Sequence, residues 1–196
     1  MPPGPQSFCA SRAGCGLRRR WGELVSPDRC PGKSAGVHRR LLAIYLNDHL
    51  AGATLGVELA LRAARENTGS ELGVFLGEAL LPEIREDRQT LERLMGRLGI
   101  ARSRAKVAAA WAAEKVGRLK LNGELTRYSP LSRLLELEGL TAGIEGKRAF
   151  WLALEATVDS GGTVEGFDFR ALAARAESQR KHLESHRLAA ALDALA

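Results

Sequence analysis

Apolar residues recur every three or four positions along four long stretches of the chain, and short clusters of Gly, Asn, Ser and Pro separate those stretches. That period is the signature of helices with one buried face. The stretch that organises the rest is Pro130 to Val158, PLSRLLELEGLTAGIEGKRAFWLALEATV, which reads as a single long helix. Ser129 is placed to cap it and Pro130 suits its first turn, where a missing N–H costs nothing. Glu138 and Glu145 fall into one of its apolar stripes.

The first helix is expected from about Val37 to Arg65, ended by Asn67-Thr68-Gly69. Its inner face reads Leu42, Tyr45, His49, Ala53, Gly56, Ala60 and Ala63, with Arg40, Asn47, Glu58 and Arg62 opposite. The small residues Ala53, Gly56 and Ala60 suggest close approach of a neighbouring backbone, as does the pair Gly139 and Gly143 on the long helix. The second helix spans about Ser70 to Leu98, with Gly99 as its stop. Its stripe is Leu76, Leu80, Asp87, Leu91, Leu94 and Leu98, with Glu83 on the shoulder. Pro82 is expected to kink or divide it, because proline removes one backbone hydrogen bond. A shorter helix, about Ser103 to Leu121, connects the second and third long helices. The last runs from a cap at Asp168 over about Phe169 to Ala194, with Leu172, Ala176, Gln179, Leu183, His186 and Ala190 inward.

Four helices of this length are each about 40 Å long at roughly 1.5 Å per residue. The reading is therefore all-α, a four-helix bundle with a shorter crossover helix between the second and third long helices. One such crossover lets helices two and three run parallel.

Composition agrees with helices over sheets: aromatics are 5% of the chain, so Leu and Ala must supply most of the core. Charge changes the picture more. The net charge of +6 resides entirely in residues 1–40, which hold Arg12, Arg18, Arg19, Arg20, Arg29, Lys33, Arg39 and Arg40 against Glu23 and Asp28. The remainder carries 21 basic and 21 acidic side chains and is neutral, so a nucleic-acid partner is not expected of it. Residues 1–36 contain Pro2, Pro3, Pro5, Pro27 and Pro31 and no apolar period. They read as a disordered basic tail, or as an extension upstream of a native start near Val37, leaving 37–196 as the bundle.

Cys9, Cys15 and Cys30 all lie in that tail, with no paired spacing for a disulfide framework or a zinc site. A cysteine-free bundle suits a reducing compartment, so the expected location is cytoplasmic. No apolar run is long enough for a membrane span, and no secretory apolar segment follows the N-terminal charges.

Candidate chemistry is confined to mid-height of the bundle. His49, Asp87 with Glu83, Glu138 or Glu145, and His186 with Gln179 each interrupt or flank an apolar stripe near the middle of their helix. Buried ionised groups need partners, so these residues should meet one another, water or a metal; Asp87 and Glu83 are expected to pair with Arg or His across the bundle, and Glu138 and Glu145 with Arg or Lys of neighbouring helices. Glu83 and Asp87 are one turn apart and can bracket one ion; so can His182 and His186, although His182 points away from the stripe. Glu138 and Glu145 are too far apart along the helix to share one.

The architecture and the stretches YLNDHLAGATLGVELA, EIREDRQTLERLMGRLG, KVAAAWAAEKVGRLKLNG and RAESQRKHLESHR resemble the ferritin-like superfamily, most closely its uncharacterised bacterial members. That resemblance covers about residues 37–196 and implies a four-helix bundle, in many relatives holding a carboxylate-bridged di-iron or di-manganese centre. Such centres take a Glu from each of two helices and Glu-x-x-His from the other two. Here no Glu-x-x-His occurs: Glu86 follows Glu83, Arg148 follows Glu145 and Arg180 follows Glu177 at that offset. No nucleophile elbow, phosphate-binding glycine loop or dinucleotide fingerprint is present either, and whether the chain is an enzyme stays open.

Two functions follow. The first is a metal-free ferritin-like bundle that acts as a structural or binding protein, with a homo-oligomer or a protein as partner and the polar layer as a specificity device. The second is an iron or manganese protein, with oxidoreductase activity as one option, using His49, Glu83 or Asp87, Glu138 or Glu145, and His186. The missing Glu-x-x-His favours the first.

Overall fold

The computed structural model describes residues 34–103, 128–159 and 166–196, and among them every regular element is helical. Helix α1 is Ser34–Glu66, 33 residues long. The second helical rod begins as α2, Glu71–Val74, passes through a π-helical turn, Phe75–Leu80, and continues as α3, Leu81–Arg97. Helix α4 is Pro130–Asp159 and α5 is Phe169–Leu195. Of the expected crossover helix, residues 104–121 lie outside the described residues, as do residues 1–33 of the expected tail at 1–36, while residues 34–36 belong to α1.

The punctuation acts as its chemistry requires. Gly69 and Gly99 take φ of +83° and +61° where α1 and α3 end, a conformation that costs glycine little. Ser70 accepts from the Gly73 amide at 3.1 Å, and Asp168 caps α5 through the Ala171 amide at 2.8 Å. Ser129 and Ser132 cap the start of α4 reciprocally: the Ser132 amide donates to Ser129 Oγ at 3.1 Å and the Ser129 amide to Ser132 Oγ at 3.3 Å.

Pro82 divides the second rod, as expected, but the division falls just before it. The Leu81 amide reaches back five residues to the Leu76 carbonyl, forming the wider π turn. Proline has no N–H with which to continue the α ladder, so the helix absorbs one extra residue there and restarts with Pro82 in the first turn of α3.

Side-chain pairings give the helix directions. Arg62 meets Glu136 and Leu59 meets Gly139 at one end of α1, while Tyr45 and His49 meet Phe150 at the other, so α4 runs antiparallel to α1. Arg39 donates to the Leu98 carbonyl, which makes α3 antiparallel to α1 as well. The second and third long helices are therefore parallel. Arg133 with Asp193 and Arg170 with Glu155 set α5 antiparallel against α4.

Two apolar clusters fill the interior, one on each side of mid-height. The lower contains Leu76, Leu80, Ile84, Leu137, Ile144 and Leu183; the upper contains Leu46, Leu50, Leu94, Phe150, Trp151 and Phe169. Of the stripes expected for the second rod and α5, Leu76, Leu80, Asp87, Leu91, Leu94, Ala176, Gln179, Leu183 and Ala190 are buried, joined by Ile84, Met95, Phe169 and Ala173, while Leu98, Leu172 and His186 are only partly covered. On α1 the expected stripe holds at Ala60 and Ala63, both fully buried, but is rotated by about one position before them. Leu46, Leu50, Thr54 and Val57 face inward, whereas Tyr45 is 36% exposed and His49, Ala53 and Gly56 are only partly covered. Asn47, placed opposite the core by its polarity, is 7% exposed. Its amide donates to the Ala43 and Ala101 carbonyls and its oxygen accepts from the Ser103 amide, so burial satisfies it.

Candidate functional site

Asp87, on the inner face of α3 and 3% exposed, is the centre of the buried polar layer. Three groups from the α4–α5 pair converge on it. The Lys147 ammonium of α4 donates to Oδ2, Arg175 of α5 donates to Oδ1, and the Gln179 amide donates to Oδ2 at 3.1 Å. Lys147 also donates to Gln179 Oε1, and Arg175 turns its other nitrogen to Glu86 at 3.0 Å. One carboxylate thus holds two cations and a neutral amide that is itself 2% exposed. Burial pushes the Lys147 ammonium below its ordinary range, with the Asp87 carboxylate pulling it back up. Burial opposes the charge on Arg175 too, and Asp87 and Glu86 outweigh it, raising its pKa.

The sequence placed Asp87 correctly and expected an Arg or His partner from across the bundle. The Arg is Arg175. Lys147 was missed, although it stands in the apolar series Leu140, Ile144, Lys147, Trp151 at strict helical spacing, a pattern that marks a buried cation.

The other candidate residues lie apart from this centre. Glu83 is exposed on α3, close enough to act on the Lys147 charge. Glu138 and Glu145 stand on the outer seam between α4 and α5, correcting their placement in a buried stripe. Glu145 chelates Arg148 at 2.8 Å and lies 4.0 Å from Arg180, and Glu138 is 3.8 Å from Arg187. Their pairing with neighbouring cations is as expected. His49 stacks on Phe150, ring centres 4.3 Å apart, and meets Tyr45 edge-on at 4.6 Å. Burial lowers its pKa, with the nearby Asp48 opposing, so it is an aromatic core-edge group. His186 stacks on Phe75 at 4.7 Å, and His182 is exposed. Among the described residues no three His, Cys, Asp or Glu side chains gather where a metal ion could be held.

Beside the Asp87 cluster is a cavity of about 320 Å³ between α1, α3 and α4. Ile84, Leu91, Leu140 and Ile144 give it apolar walls, His49, Phe150 and Trp151 an aromatic end, and Asp87 and Lys147 a polar floor. Gly52 and Gly56 of α1 and Gly139, Gly143 and Gly146 of α4 complete the lining. Close helix packing was the expectation at Gly56, Gly139 and Gly143. It holds at Gly139, where an added Cβ would lie 3.1 Å from Leu59; at Gly56 and Gly143, as at Gly52 and Gly146, it would meet nothing within 4 Å among the described residues. Helices α1 and α4 touch at Leu59 and again at the Phe150 ring contacts, and these bulky residues leave the gap between them.

A second polar hub lies at the lower end, and the sequence did not disclose it. Glu136, 7% exposed, takes Arg62 of α1 at 2.9 Å and the Tyr128 hydroxyl at 3.0 Å. Asn67 donates to Tyr128 at 2.9 Å and accepts from Arg133 at 2.8 Å. Burial foremost, with the Glu136 carboxylate adding to it against the Asn67 amide, pushes the Tyr128 phenol up to about 12. A phenol that is harder to ionise when folded stabilises the fold below the unfolded pKa near 10 and loses that contribution as pH rises through 12. The urea midpoint of the wild type should therefore fall more steeply between pH 10 and 12 than that of Tyr128→Phe. Parallel curves would show that the phenol is solvated.

No protein-family model, curated protein or solved structure matches the chain. No helix among the described residues is long and apolar enough to cross a membrane.

Proposed function

We propose that the chain is a ferritin-like helical bundle that works as a non-catalytic binding protein, with the Asp87 layer as its internal specificity device. The architectural part is supported by four long helices with the second and third parallel, the arrangement a single long crossover produces. The functional part is carried by one observation: the buried mid-height carboxylate is occupied by Lys147 and Arg175.

A carboxylate-bridged dimetal centre needs several inward carboxylates and imidazoles free to ligate. The residues present do not fit one. Asp87 is already neutralised by two cations, His49 and His186 are engaged in ring stacking, and Glu138 and Glu145 point outward into ion pairs. A metal ion at Asp87 would have to compete with an ammonium and a guanidinium at contact distance, which is electrostatically unfavourable. The cluster instead fixes the relative register of α3, α4 and α5, since Asp87 can satisfy all three partners in only one alignment.

The test is elemental analysis of the purified full chain, without an affinity tag, after incubation with iron, manganese or zinc. The expected result is well below one metal per chain. Near-stoichiometric metal that disappears in His49→Ala and Asp87→Ala would overturn the reading in favour of a ferritin-like metalloprotein with oxygen chemistry.

A further inference from the structure

The glycines around the cavity are the feature that neither the fold nor the Asp87 layer explains. Glycine in a helix interior is unfavourable relative to alanine, and Gly52, Gly56, Gly143 and Gly146 all sit inside long helices. A glycine is normally justified there by a close neighbour, yet among the described residues none of the four has an atom within 4 Å of its would-be Cβ. They enlarge a cavity, and they leave its walls as bare backbone.

The Lys147 ammonium is the donor this cavity offers. It lines the floor and donates to Asp87 and Gln179, which accounts for two of its three N–H groups. Trp151, one helical turn further along α4 and only 1% exposed, supplies an aromatic part of the wall, its indole N–H closed off from solvent. The third ammonium N–H has room for an acceptor supplied from within the cavity. The charged lining is balanced, with Asp48 and Asp87 against Arg88 and Lys147, and offers no net attraction to an ion.

We infer that this cavity is a binding site for a small, uncharged, predominantly apolar molecule that carries a hydrogen-bond acceptor such as a ketone or amide oxygen. The oxygen takes the remaining N–H of Lys147, and the apolar body lies along the glycine walls against Ile144 and Phe150. Its volume is that of a small-ligand pocket, with apolar walls and few polar groups, as such sites generally have. The inference rests on the binding-protein reading above.

Equilibrium dialysis of the full chain against 2-acetylnaphthalene, with 2-ethylnaphthalene as the analogue lacking the oxygen, tests it directly. The expected result is saturable one-to-one binding of the ketone, with the ethyl analogue bound at least about tenfold more weakly, the effect of roughly one good hydrogen bond. Gly143→Leu should fill the cavity, weaken ketone binding at least about tenfold and leave the melting temperature unchanged or higher. Gly143→Ala should raise the melting temperature by about 2–4 °C, because helix propensity improves and nothing is displaced. No saturable binding by the wild type, or equal binding of the two naphthalenes, overturns the inference and leaves the binding-protein reading standing. A fall in melting temperature with Gly143→Ala, or failure of Gly143→Leu to fold, also overturns it, by showing that residues 104–127 or a second copy of the chain pack there. Stoichiometric metal in the elemental analysis would be a separate failure, of the underlying reading.

Discussion

Asp87→Ala should destabilise the protein by about 3–5 kcal/mol, measured by urea unfolding at neutral pH. The substitution removes few apolar contacts, so packing loss contributes little. Its effect comes from the groups left behind. Lys147 is 16% exposed and loses its counter-ion contact, while Gln179, 2% exposed, loses the acceptor for its amide. Arg175 fares better, because it is 26% exposed and keeps Glu86 at 3.0 Å. The asymmetry yields a second expectation. Asp87→Leu combined with Lys147→Met and Gln179→Leu should recover most of the loss, since an apolar set of similar volume leaves none of these groups buried and unpaired. Against a total stability of about 5–15 kcal/mol for an ordinary domain, the single change can unfold much of the population. A single-mutant loss under about 1 kcal/mol would mean that water already solvates the cluster, and the register argument would fail with it.

The sequence disclosed the helices well because their limits are set by local chemistry. Ser70, Ser129 and Asp168 are N-caps, Gly69 and Gly99 are stops, and Pro82 cannot continue an α ladder, all independent of what packs nearby. The α3 stripe was equally legible, as that helix is polar on its other side. The α5 stripe held at Ala176, Gln179, Leu183 and Ala190, although Leu188 and Leu192 are exposed apolar residues on the same helix. Helices α1 and α4 were harder for a physical reason: each is apolar over most of its circumference, so periodicity cannot choose which face is inside. On α1 this turned the stripe by one position, put His49 on the wall of a cavity and concealed the burial of Asn47. The candidate site was read through carboxylates and histidines because those are the groups that ligate metals. That emphasis located Asp87 but passed over Lys147, a long cation whose stem lies among apolar neighbours while its ammonium reaches the carboxylate.

Helix α4 provides the sharpest case, and a measurement that separates the two readings of it. Glu136, Glu138 and Glu145 all follow or precede leucines or isoleucine, and the sequence favoured the latter two as inward. The structure buries Glu136 at 7% exposure and leaves Glu138 and Glu145 at 48% and 45%. Two residues are 200° apart on a helix, so the side that faces Arg62 of α1 at position 136 cannot also be faced at 138. Glu136→Ala should accordingly cost about 2–3 kcal/mol, the loss of charge-assisted hydrogen bonds from Arg62 and Tyr128. The figure is below that for Asp87 because Arg62, 27% exposed, can turn to water once its partner is gone. Glu138→Ala and Glu145→Ala should each stay within about 0.5 kcal/mol, as expected for exposed ion pairs between flexible side chains. Added salt should shrink those two small effects further and leave the Glu136 loss largely in place, since screening acts on exposed pairs far more than on buried ones. The reverse order, with Glu138 or Glu145 the costly position, would mean that α4 is rotated by about half a turn from the orientation described, and it would carry Lys147 away from Asp87.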